Sequence, residues 1–171
     1  MPLHPFLVHF VIAFFTVSLL FELLALKTGN KTHQTLGYLL LIIAAVSVIP
    51  AVISGLIEKS KITIPAEANV VFNWHETTAF ITASIILFLS LWRIALKNQL
   101  TRKLKFIYLT VAFTGLISLY IGAYHGGLLV YRHGIGIRSQ RISPAEPASF
   151  QPEMKKSREN SLFYPPEDSL K

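Results

Sequence analysis

The chain has 171 residues, is 52% hydrophobic and only 15% charged, carries a formal charge of +7 and contains no cysteine. With a mean hydropathy of +0.51, it has too few charges to coat a soluble domain and belongs among integral membrane proteins. The missing cysteines exclude disulfides, thiolate metal sites and cysteine nucleophiles. The basic residues lie in short turns and the tail rather than on one helix face, which excludes nucleic acid as a partner.

The first apolar run, Phe6 to Leu26, is too long for a signal-peptide core and has no basic segment before it. It reads as a retained span, for which about 20 residues are needed. Glu22, one turn from its far end, is expected to snorkel to the interface, the alternative being a buried carboxylate. A polar turn follows, and Leu36 to Ile57 forms the second span. Pro50 is expected to kink it, with Ser47 or Ser54 satisfying freed backbone groups.

Glu58 to Val71 reads as an interfacial loop. The third span runs from Trp74 to Leu96, with His75 and Glu76 in its first turn. Trp92 and Arg93 mark its other end, as a belt aromatic and a snorkelling base. After a basic hinge at Lys97 to Lys105, Phe106 to Tyr131 is the fourth span. From Arg138 the composition turns to Pro, Ser, Glu and Lys. This sets a four-span domain at 1–137 against a polar tail at 138–171, expected to order only on a partner.

Four spans with short connections imply an all-α, up-down-up-down membrane bundle. The start of spans one and three and the end of spans two and four then share one face. His4, His9, His75, His125 and His133 all fall there, and only His33 lies opposite. The basic residues Lys27, Lys31, Lys97, Arg102, Lys103 and Lys105 occupy the two turns on the other face. The positive-inside rule therefore puts the histidines and both termini outside, on the periplasmic side of a bacterial cytoplasmic membrane.

Neutral imidazoles on facing helices with apolar walls are the usual protein share of a low-spin haem b site. Ionisable residues at membrane depth are costly and tend to be functional. His9 and His75 are the expected axial pair, since spans one and three lie diagonally across the bundle. His125, with His4 or His133, would serve a second haem or replace one ligand. His133-Gly134 also reads as a glycine-capped helix end. Gly122 and Gly126 would let a macrocycle, or a neighbouring helix, approach closely; as a small-xxx-small pair they also read as plain packing.

Other chemistries are less well supplied. His75-Glu76 beside Trp74 offers a quinol pocket or, alternatively, an interfacial turn. No Ser/His/Asp set or phosphate loop occurs, and no charge falls mid-span as a transporter would need. The expectation is an electron carrier or complex subunit rather than a stand-alone enzyme.

Two stretches carry a resemblance. Met1-Pro-Leu-His-Pro-Phe-Leu-Val-His-Phe10 resembles the His-Pro-x-x-Val-His-Phe-Pro opening of a bacterial four-span membrane domain of unknown function. Gly126-Gly-Leu-Leu-Val-Tyr-Arg-His-Gly-Ile-Gly136 resembles its closing Gly-Gly-x-Leu-Val-Tyr-x-His-Gly-Val-Gly. Val11 stands where that opening has its last proline. Many members carry a histidine just after the Gly-Gly pair, whereas His125 precedes it. The resemblance marks His4, His9 and His133 as motif positions. The family also occurs fused to Rieske-type iron–sulfur domains, which implies a link to electron transfer. Expected partners are the lipid bilayer, other membrane or periplasmic redox subunits engaged through the tail, and quinol; an anchoring role in such a complex is the alternative function.

Overall fold

A computed structural model describes residues 3–136, and these form four long helices. They are α1 (Leu3–Thr28), α2 (Lys31–Lys59), α3 (Asn69–Ala95, entered through a 3₁₀ turn at Ala66–Ala68) and α4 (Arg102–Tyr131). At about 1.5 Å rise per residue each helix is about 40 Å long, more than the roughly 30 Å of hydrocarbon it must cross. All four are long and apolar enough to span a membrane. The all-helical, four-span architecture expected from the sequence is therefore the one observed, and the chain is an integral membrane protein in contact with lipid. The expected tail, 138–171, lies outside the described residues.

Local chemistry sets the turns. Gly29 takes a left-handed backbone, φ +65, and ends α1. The Asn30 side chain then accepts a hydrogen bond from the Thr32 N–H at 2.8 Å and starts α2. The third turn is longer, with Lys97 and Asn98 both at positive φ, 48° and 59°. Asn98 is held there from three sides. Its N–H donates to Arg93 O, its carbonyl accepts from Gln34 Nε2, and its Oδ1 accepts from Arg93 Nη2.

Two helical hairpins, α1–α2 and α3–α4, make the most extensive contacts. They dock chiefly through α2 and α3 and, less extensively, through α1 and α4. Phe15, Leu41, Ile86, Leu89 and Tyr108 fill the centre of the bundle. Val46, Phe88, Leu91 and Ile117 face outward from mid-helix, an apolar surface suited to lipid tails.

Three local expectations are corrected. α2 runs on past Pro50, and the expectation corrected here is the role of the serines, whose hydroxyls donate to the Ile43 (Ser47) and Ala51 (Ser54) carbonyls. Neither reaches Val46, whose carbonyl Pro50 leaves without a helical donor. α3 begins at Asn69, so His75 sits in its second turn rather than its first. Glu22 and Arg93 do not snorkel. Both side chains are 0% exposed, and Arg93 Nη1 donates to Glu22 Oε1 at 2.7 Å.

The neighbours of this pair explain its burial. A Cβ at Gly37 would lie 2.8 Å from Glu22 Oε1, so the glycine makes room for the carboxylate. The Arg93 guanidinium stacks between Tyr108 and Tyr38, at 5.0 and 5.6 Å from the ring centroids. Inside a bundle, a paired and stacked cation is the alternative to a long reach for water.

Candidate functional site

The histidine end is built from α1, the C-terminal part of α2, the start of α3 and the end of α4. His4 lies in the first turn of α1 and leans on α2. Its Nδ1–H donates to the Ala51 carbonyl at 2.9 Å, with Ser54 Oγ 3.1 Å away. Its backbone N–H, unpaired within its own helix, donates to Glu58 Oε1 at 3.2 Å. Gly55 lets the imidazole lie flat on α2, since a Cβ there would sit 2.9 Å from His4 Cε1.

His75 repeats this arrangement on the other hairpin. Its Nδ1–H donates to the Gly122 carbonyl at 2.8 Å. Gly126 forms its floor, where a Cβ would come within 3.0 Å of His75 Cε1. A Cβ at Gly122 would meet Thr78 Oγ1 at 2.8 Å. The space that Gly122 and Gly126 free is thus filled by Thr78 and His75 of the adjacent helix, which is the close-packing role.

The two imidazoles meet across the gap between the hairpins, with ring centroids 6.2 Å apart and planes at 84°. Because each Nδ1 holds its proton against a carbonyl, each Nε2 carries the lone pair. This tautomer and anchoring are those of metal-ligating histidines, whose second nitrogen is oriented by a carbonyl or carboxylate.

The rings border a cavity of about 90 Å³ that runs along α3 from His75 past Thr78 to Thr82, with walls including Val11, Val48 and Leu119. Pockets that enclose drug-sized ligands start near ~300 Å³, and a porphyrin is at least as large as such ligands. The cavity in this closed conformation therefore does not admit a haem, which requires the two hairpins to part. Among the described residues, no group of three or more histidines and carboxylates is arranged to hold a metal ion.

The other expected residues lie elsewhere. His9 does not face His75; it is exposed, and its Nδ1–H donates back to Pro5 O on its own helix. Five residues separate it from His4, which at about 100° per residue turns it some 140° away. His125 stacks on Trp74, 5.9 Å between centroids, and its Nδ1–H donates to Ile121 O at 2.8 Å. It occupies an aromatic rim with Tyr124 outside the cavity. His133 follows the end of α4, where Gly134 at φ +64 makes the glycine-capped helix end. His33, at the opposite end, lies 3.0 Å from Thr28 Oγ1.

Sequence reasoning missed Thr82, Gly55 and the inward placement of His4. A signal for His4 exists. Ser18, Glu22 and Ala25 share a stripe of α1 that runs back in steps of three or four residues through Phe15, Val11 and Val8. It reaches His4 and misses His9.

The family model described as "Predicted membrane protein (DUF2231)" matches residues 1–139. The chain belongs to this family. No curated protein and no solved structure matches it. Family membership agrees with the four membrane-spanning helices and leaves the chemistry of the histidine end to be argued from its geometry.

Proposed function

We propose that this DUF2231 protein is a membrane-embedded electron-transfer subunit whose His4–His75 pair ligates the iron of a haem b. The observation that carries the reading is the matched anchoring of the two rings, each Nδ1 bound to a carbonyl of the helix it packs on and each Nε2 left free. Two imidazoles are the protein share of a six-coordinate haem iron, whereas a bare ion usually takes three or four protein ligands. His4 replaces His9 as the partner of His75 in this reading. Bound haem would supply one-electron chemistry. The chain's part would be to hold two ring nitrogens in apolar surroundings, with the two hairpins parting to admit the group.

The basic turns at Lys27–Lys31 and Lys97–Lys105 would face the cytoplasm, which puts the imidazole pair near the periplasmic surface. Its partners there would be other redox subunits or quinol, with the 138–171 tail as the contact segment.

The test is a visible spectrum and a metal analysis of protein purified after haem-replete expression. A Soret band with a sharp reduced α band is expected, with about one iron per chain. Stoichiometric copper or iron without a Soret band would replace haem by a bare ion at the same pair. Colourless, metal-free protein overturns the redox reading.

A further inference from the structure

Thr82 is 3% exposed, and its hydroxyl has no hydrogen-bond partner. It lines the inner part of the cavity whose outer part is bordered by His4 and His75. The other buried hydroxyls on the same helix are satisfied. Thr78 donates to Trp74 O at 2.6 Å and Ser90 to Ile86 O at 2.7 Å. A buried hydroxyl with no partner costs about 1–3 kcal/mol, and such groups are normally satisfied by protein or by ordered water.

The cavity is large enough for water and, within a mainly apolar lining, carries polar groups at both ends. A single water needs about 10–15 Å³ of such space and two to four polar partners. The volume is about 90 Å³, enough for a short file. Its polar contacts are spaced along one helix face. His4 and His75 line the outer part, and Thr82 Oγ1 can donate or accept seven residues further in, about 10 Å along α3. Beyond Thr82 the bundle closes on Ile86, Phe15 and Leu41, which are all essentially unexposed. The partly exposed rings of His4 and His75 sit at the membrane-surface end.

We propose that this cavity is a hydration site, a file of water molecules running from the His4–His75 pair to Thr82. The file stops at Ile86, so the site is a blind hydrated pocket and not a channel. The inference uses the same cavity as the electron-transfer reading but does not require a metal there.

The test is water-edited solid-state NMR on the full isotope-labelled chain in lipid bilayers. Magnetisation from water is expected to reach Thr82 and the His75 ring about as fast as it reaches Lys59 at the membrane surface. Ile86, one turn deeper, should fill several-fold more slowly. In Thr82→Val, transfer to residue 82 should slow several-fold, while Thr82→Ser keeps the wild-type rate. Slow transfer to Thr82 in the wild type, matching that of Ile86, means a dry cavity and overturns the proposal. A Thr82→Val protein with unchanged transfer to residue 82 overturns Thr82 as the anchor. If Thr82→Val does not fold, the wild-type rates at Thr82 and Ile86 decide alone. None of these readouts depends on haem or metal content, so this proposal and the electron-transfer reading can fail separately.

Discussion

At one end of the bundle, His4 and His75 each commit one ring nitrogen to a carbonyl and keep the other free. At the opposite end, Arg93 directs one guanidinium nitrogen to Glu22 and another to Asn98, with its charge over the rings of Tyr38 and Tyr108. Both clusters join the α1–α2 hairpin to the α3–α4 hairpin, and both use a glycine of α2 to admit a polar group. They differ in what is left over. The ion-pair end is fully buried and neutralises its two charges against each other, with Glu22 Oε2 and Arg93 Nε left without partners, so it suits a clamp. The histidine end is partly exposed and borders a cavity, so it is the end open to a ligand.

The clamp offers the largest effect. Arg93→Met leaves the Glu22 carboxylate buried and unpaired, and should cost about 3–5 kcal/mol, seen as a large drop in the unfolding midpoint in detergent. The double replacement Glu22→Leu/Arg93→Met removes both charges and should recover much of that loss. A double variant as unstable as the single one would show that the pair does more than neutralise itself.

The contrast sharpens at the glycines. Gly126→Ala presses on the His75 ring and Gly55→Ala on the His4 ring, at would-be distances of 3.0 and 2.9 Å. Each should cost about 1–3 kcal/mol through overpacking, read from the unfolding midpoint. Each should also shift the ring's Nδ1 chemical shift as its carbonyl bond lengthens. Gly37→Ala tests the same idea at the clamp, where a Cβ would lie 2.8 Å from Glu22 Oε1 and the ion pair cannot yield. It should be the most damaging of the three. Equal losses would argue that the two ends are equally rigid.

The smallest effect belongs to a position outside both clusters. Asn30→Ala removes the N-cap of α2 and should lower stability by about 1 kcal/mol, with no change in any ligand-binding readout. A loss of binding in that variant would contradict the separation between framework and site.

The sequence made the framework legible because long apolar runs and polar turns are strong, local signals. Counting spans also placed His4 and His75 at the same end without any contact being known. Facing was harder to read. Each span is apolar around most of its circumference, so periodicity did not tell His4 from His9, although only one of them can point at α3. The charges misled for a related reason. Glu22 and Arg93 lie near helix ends, where either residue alone would reach for water. Their pairing depends on the tertiary proximity of α1 and α3, on the gap at Gly37 and on the tyrosine faces of Tyr38 and Tyr108. Opposite charges at the same end of neighbouring spans were the available clue.

The central claim is that His4 and His75, and not His9, form the ligand pair. The most direct measurement is the reduced-minus-oxidised visible spectrum of the wild type beside His4→Ala, His75→Ala and His9→Ala, each expressed with excess haem. The account expects the haem bands in the wild type and in His9→Ala, and their loss in His4→Ala and His75→Ala. Bands that vanish with His9→Ala and persist without His4 or His75 would contradict it.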